Sequence, residues 1–260
     1  MMAGCIKVAG VVTLAVKISC GVLVLGLIAP HPAPAESAPA PDWAALAAQA
    51  NRAVVLIKSE GKDGSLTQGS GFLVDASGII VTCFHIVDRA KTISIKTADG
   101  DIYDAAEVTG VDKRRDLAVL RISGHGLPTI PLGDSASALP GNSVFVVSNP
   151  LGLEGSVSTG VVSGLRDTGD GYKVLQLTAP ISPGSSGAPV LDPNGLVIAV
   201  VSFKATAGES LNFGIPANYV RGLLDNPKSL GIEALSQTSE PADDPFGVRP
   251  PRRMTSIAAV

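Results

Sequence analysis

The sequence predicts an all-β fold: two antiparallel barrels of about six strands each, with a short helix before the first and another after the second. Three observations predict it. Apolar or alternating runs recur at roughly 8–12-residue spacing, with no helical pattern between them. The turn formers Gly (29) and Pro (19) are abundant in the 260 residues and break the chain into short elements. The runs also fall into two blocks of similar length, joined somewhere within residues 123 to 140.

Taken in order, "DWAALAAQANR" (42–52) has an acidic N-cap followed by alanine-rich helix formers. From Ala53 the period changes. "AVVLIKSE", "GSGFLVD", "GIIVTCFHIV", "TISIKTA", "DIYDAAEVTG" and "LAVLRI" read as strands, separated by "KDGS", "DASG", "DRAK" and "ADGD". Asp99-Gly100, between two alternating runs, marks a hairpin. The second block is "SVFVVSN", "SVSTGVVSGL", "YKVLQLT", "APVLD", "LVIAVVSF" and "NFGIP", with a tight turn at "DPNG" (192–195). "PANYVRGLLDN" from Pro216 reads as a closing helix with proline at its start. Residues 226–260 are polar and Pro-rich and read as a disordered tail.

The first residues are set apart from this pattern. Lys7 and Lys17 precede an apolar-to-small run, Ile18 to Ala29, and Ala33-Pro34-Ala35 supplies an A-x-A cleavage signal. Residues 1–35 therefore read as a secretory leader and 36–41 as a linker. The alternative is an uncleaved membrane anchor over Val8 to Ala29, in which Lys17 would cost about 2.5–3.5 kcal/mol at the bilayer centre. The formal net charge is −3; without the leader, 18 basic residues face 23 acidic ones, leaving −5. Nucleic acid is thus not an expected partner. Cys5 and Cys20 would leave with the leader, so Cys83 alone remains, read as a small buried residue. An exported domain of this size without disulfides points to a bacterial periplasm or surface.

The chemistry centres on "PISPGSSGAPV" (180–190), where two serines stand between glycines. That is ordinary loop composition, yet it also suits a nucleophile whose hydroxyl must stand clear while backbone N–H groups face an oxyanion. The chain has three histidines, His31, His85 and His125, all before Ser186, which excludes an α/β-hydrolase. There is no H-E-x-x-H, no Walker loop and no framed dinucleotide fingerprint, so neither metal nor cofactor is expected. His31 falls in the leader and His125 in a Gly-His-Gly turn, whereas His85 ends an apolar run and would be fixed at a strand end. Asp116 opens the strand of "DLAVLRI". Alone, each reads as structural. Together His85, Asp116 and Ser186 follow one known triad order. The first two fall in the first block and the serine in the second, which places a site in the cleft between barrels.

These motifs resemble the HtrA branch of trypsin-like serine proteases from about Ala53 to Leu224. "GSGFLVDASGIIVTCFHIV" is similar to the strand pair ending in that family's catalytic histidine. "DLAVLRI" follows its aspartate, "ISPGSSGAPVLDPNGLVIAVVS" matches its nucleophile loop, and "LNFGIP" its closing strand. The resemblance implies peptide-bond hydrolysis on a chymotrypsin-like pair of six-stranded barrels, about 50–125 and 135–216 within a domain at 42–225. It implies Ser186 as nucleophile, His85 as base and acid, Asp116 as its orienting partner, and the N–H groups of Gly184 and Ser186 as an oxyanion hole. Ser185 would shape the turn. Pro180 stands where a trypsin has its aspartate. With Val200, Val201, Ser202 and Phe203 it is expected to form a pocket for small or medium apolar side chains, and not Lys or Arg.

Two departures stand out. The family commonly has Gly where Ala188 stands; a positive φ there would strain alanine by about 1 kcal/mol. Only 36 residues follow Leu224, so the appended PDZ domain of most members is not expected. Polypeptide substrates and a homotrimer are implied partners, and a membrane only if the leader stays uncleaved. A non-catalytic peptide-binding module with the same fold is the alternative function.

Overall fold

The computed structural model describes residues 41–104, 106–149, 155–204, 211–227, 230, 231 and 235, without the side chains of Phe203 and Lys204. The expected leader, the loop glycines around 152 and most of the expected tail lie outside the described residues. Helix α1 (Trp43–Asn51) starts where the Asp42 carboxylate accepts the Ala45 N–H. It buries Ala47 and Ala50, and Trp43 meets Phe145 edge-on at 5.4 Å.

The first block folds as β1 (Val54–Gly61), β2 (Leu66–Asp75), β3 (Ile79–Thr82), β4 (Ala90–Lys96), β5 (Ile102–Tyr103), β6 (Glu107–Asp112) and β7 (Leu117–Arg121). A single helical turn, α2 (Phe84–Val87), follows β3. The strand order is β5-β4-β1-β2-β3-β7-β6. That is seven strands in one curled sheet where six were expected, because "DIYDAAEVTG" divides into β5 and β6. The Asp99-Gly100 turn lies between β4 and β5, with Gly100 at φ +94° and its N–H on the Thr97 carbonyl.

The second block supplies β8 (Ser143–Ser148), β9 (Ser156–Asp167), β10 (Lys173–Leu177), β11 (Pro189–Leu191), β12 (Val197–Lys204) and β13 (Asn212–Pro216). They close into a six-stranded barrel, β10-β13-β12-β11-β8-β9. Period-two alternation divides its side chains between two cores. On β8, Val144 and Val146 point into the barrel, whereas Phe145 and Val147 join the core shared with the first sheet. On β12, Ile198, Ala199 and Val201 fill the barrel while Val197 and Val200 face the first sheet. Strands buried on both faces read as unbroken apolar runs, as "LVIAVV" does. Each large side chain buried in this shared core contributes roughly 1.5–3 kcal/mol, which holds the two sheets in fixed register.

Helix α3 (Ala217–Leu224) closes the domain. Its Arg221 guanidinium donates to the carbonyls of Leu132 and Gly133, and Asn218 donates to Asp134, so the helix clasps the segment that joins the two sheets. A few described residues fall within the expected tail from 226. Leu230 donates its N–H to Val108 at the β6 edge, and Leu235 is buried.

Candidate active site

His85 lies on the helical turn α2 and not at a strand end as the sequence suggested. Cys83, extended at the N-cap, ends β3 and turns the chain. The Asp116 carboxylate grips His85 with both oxygens: Oδ1 accepts the His85 backbone N–H at 2.9 Å and Oδ2 meets Nδ1 at 2.8 Å. The backbone completes the clasp, since Phe84 N–H donates to the Asp116 carbonyl at 3.2 Å. Asp116 adopts φ +56° in the β6–β7 turn. That left-handed geometry is rare for a side chain with Cβ but is tolerated by aspartate.

Ser202, on β12 of the second barrel, donates its hydroxyl to Asp116 Oδ2 at 2.7 Å. The sequence reading placed Ser202 in the pocket wall and missed this bond. A serine within an apolar strand carries no local mark of a partner 86 residues away. Three donors therefore converge on one carboxylate, two from the first sheet and one from the second. Burial pushes Asp116 up, but His85 and these hydrogen bonds outweigh it and hold the carboxyl below its ordinary value of 3.8. Burial likewise lowers His85, yet the charge and hydrogen bond of Asp116, with Asp88 behind, raise the imidazole above its ordinary 6.5. The His85 side chain stays 46% exposed, so it is open to a substrate.

Ser186 lies between β10 and β11. Its hydroxyl donates to the Ser202 carbonyl at 3.1 Å and not to His85. Ser202 therefore touches Ser186 through its carbonyl and Asp116 through its hydroxyl, and brings the two halves of the site together. Hydrogen bonds between nucleophile and base are often made only once substrate is bound.

The loop around Ser186 is held by few, specific bonds. Gly184 and Gly187 take φ +94° and +85°. Ser185 N–H donates to Ser182, Gly187 N–H to Val201 and Ala188 N–H to Ser185. The N–H groups of Gly184 and Ser186 have no partner among the described residues, the condition an oxyanion hole requires. The buried Ser185 hydroxyl lies 3.2 Å from that of Ser148. Ala188 is not at positive φ; the position that demands glycine is Gly187, so the anticipated strain at Ala188 is absent.

Ser70, on β2 and wholly buried, is a second residue that the sequence did not reveal. Its N–H donates to the Ser186 carbonyl at 2.8 Å and its hydroxyl to the Gly184 carbonyl at 2.7 Å. The same hydroxyl accepts Asn149 N–H at 3.0 Å. One residue of the first sheet thus fixes the Ser186 loop of the second.

Of the expected pocket residues, Pro180 is exposed beside the loop, while Val200 and Val201 are corrected. Both side chains are fully buried, Val200 in the shared core and Val201 inside the barrel. Sequence alone cannot tell which face of an all-apolar strand meets the cleft. The Phe203 side chain lies outside the described residues. His125 is exposed in the loop after β7. Cys83, His85 and Asp116 place a thiol, an imidazole and a carboxylate within 4.8 Å of one another. Burial, followed by the Asp116 charge, pushes the Cys83 thiol well above its ordinary range, and its Sγ–H donates to the Val201 carbonyl.

A two-sheet β fold with a His–Asp pair held beside one sheet and a serine in a glycine-bounded loop of the other defines a class of serine hydrolase scaffold. The comparisons specify it: the model of the trypsin-like peptidase domain matches residues 69–200, just over half the chain, and the chain belongs to that family, in its HtrA-type branch. It is 40% identical over 169 residues to Protease Do-like 1, chloroplastic, of Arabidopsis thaliana, covering 60% of this chain and 38% of that protein. It is 37% identical over 174 residues to Serine protease HTRA2, mitochondrial, of Bos taurus, covering 63% and 37%. The solved structure of the HtrA-type protease AlgW with tripeptide superposes with a TM-score of 0.66 at 26% identity, covering 71% of this chain and 63% of that one. The chain thus spans about two-fifths of the length of these curated relatives.

Proposed function

We propose that this chain is a serine endopeptidase, with Ser186 as nucleophile, His85 as general base and then acid, and Asp116 as the group that orients and stabilises the imidazolium. The observation that carries the reading is the Asp116 carboxylate, gripped by His85 from one sheet and by Ser202 from the other, with Ser202 also touching Ser186. In the reaction, His85 takes the Ser186 proton, the serine oxygen bonds the scissile carbonyl carbon, and the new oxyanion lies against the Gly184 and Ser186 N–H groups. His85 then protonates the departing amine, and water repeats the steps to release the acid. Substrate would lie extended along residues 202–204 by β-addition.

The test is labelling by a fluorophosphonate probe: Ser186 reacts in wild type and fails to react in Ser186→Ala and His85→Ala. The competing reading, a peptide-binding module, is favoured by one observation, the Ser186 hydroxyl turned to the Ser202 carbonyl. Folded wild type that never labels would establish that module instead.

The expected leader over residues 1–35, and Cys83 as the one cysteine outside it, support an exported enzyme of a bacterial periplasm or surface, or one anchored there if that segment is retained. Its substrates would be unfolded or damaged envelope proteins, and its assembly a homotrimer. With Pro180 where a basic-specific pocket would need a carboxylate, the residue before the cut is small or medium and mainly apolar. A peptide-library digest should therefore show no cleavage after Lys or Arg; a basic residue at that position would overturn the pocket reading.

The pH profile follows from the His85–Asp116 pair. The base must be neutral to accept a proton, and its pKa lies above 6.5. Activity is therefore lost as pH falls through the raised pKa, and the acid limb of kcat/KM lies above 6.5. A limb at or below that value would mean that the Asp116 contact does not govern His85 in solution.

A further inference from the structure

Asn212, the first residue of β13, is 2% exposed. Its amide nitrogen donates to the Ala179 carbonyl at 2.8 Å. That bond fixes which way the amide faces, because only the nitrogen can donate. The amide oxygen, Oδ1, is buried and has no hydrogen-bond partner.

Its position gives this acceptor meaning. Asn212 pairs with Leu177 on one side and Lys204 on the other, so it spans the strands that lead into the nucleophile segment and away from Ser202. The segment between Leu177 and Ser186 is pinned from both sides. Thr178 exchanges bonds with Val161, Ser158 donates to the Pro180 carbonyl at 2.9 Å, and Asn212 holds Ala179. The remaining side chains buried here, Leu177, Ala179, Ile181 and Val201, are apolar. An acceptor left without a donor in such surroundings costs the free enzyme stability, and a ligand that supplies the donor recovers it.

We propose that Asn212 is a specificity-determining residue whose Oδ1 accepts a hydrogen bond from a hydroxyl on the substrate residue preceding the scissile bond. This rests on the endopeptidase reading above and narrows its pocket: among side chains of equal size, threonine is taken over valine and serine over alanine. A site that hydrogen-bonds a hydroxyl discriminates against the analogue lacking it more sharply than an apolar pocket discriminates by size.

The experiment compares peptide pairs identical except for Thr/Val or Ser/Ala at that residue, with fluorophosphonate labelling of Ser186 run in parallel. Wild type should cleave the hydroxyl member with about tenfold higher kcat/KM. Asn212→Leu, and Asn212→Ser as a smaller polar control, also lose the amide bond to the Ala179 carbonyl, so the readout is the hydroxyl-to-alkyl ratio within each labelled variant, which should be lost or reduced. Labelled wild type that cleaves the valine peptide as well as the threonine peptide would overturn the inference and leave the endopeptidase standing. A ratio that persists in labelled Asn212→Leu would do the same. Folded wild type that never labels would overturn both.

Discussion

Ser186→Ala and His85→Ala should each abolish peptide hydrolysis, and the double variant should be no slower than either single one. The expected loss in kcat is about 10⁶-fold for each, because the proposed nucleophile and base would act as a unit and removing one would strand the other. The structure adds a reason for the same result. The Ser186 hydroxyl donates to the Ser202 carbonyl, and alanine removes that bond without disturbing the Ser70 contacts to the loop, which are made to backbone carbonyls. Ser186→Ala should therefore fold with unchanged thermal stability and still bind peptide. Single-turnover assays on the three variants provide the check. Additive losses, or residual activity in Ser186→Ala well above the uncatalysed rate, would mean that the hydrolysis occurs elsewhere on the chain.

The second large effect is expected at Gly187. Any L side chain there meets two penalties at once. The backbone is at φ +85°, and the added Cβ would overlap the Ser70 carbonyl and lie 2.5 Å from Thr82 Oγ1. Neither neighbour can yield easily, since the Thr82 hydroxyl donates to that same Ser70 carbonyl at 2.7 Å. Backbone strain and overpacking together should cost about 2–4 kcal/mol. Displacing Gly184 and Ser186 from their Ser70 contacts should lower kcat by about 10²–10³, the effect of a lost oxyanion donor. Gly64→Ala is the control: its φ is +76° but nothing lies within 4 Å of the added carbon, so only about 1 kcal/mol is at stake. Denaturant melts of both variants, with labelling rates at Ser186, separate strain from collision. Equal effects at the two positions would mean that the close approach to Ser70 is not what fixes Gly187.

Much of this arrangement was legible in the sequence. The turn signals and apolar runs led to two β blocks and their flanking helices. Residue order led to His85, Asp116 and Ser186, because triad order can be read without any knowledge of distances. What escaped was what alternation cannot carry. β5 and β6 were joined because the break at residues 104–106 has no Gly or Pro to announce it. Val200 and Val201 were given to the pocket because a strand buried on both faces hides which side chains point where. Ser70 and Ser202 were missed, or half missed, because a hydroxyl in a strand acquires its role from a partner on the other sheet.

The Ser202 bridge has a consequence for biosynthesis. The chain emerges with the histidine and aspartate first and the serine hydroxyls last, and neither half alone assembles the reactive group. On the proposed endopeptidase reading, a polypeptide caught with one lobe formed would be chemically inert toward its siblings, and cutting power would arrive only with both lobes in place and disappear when they part.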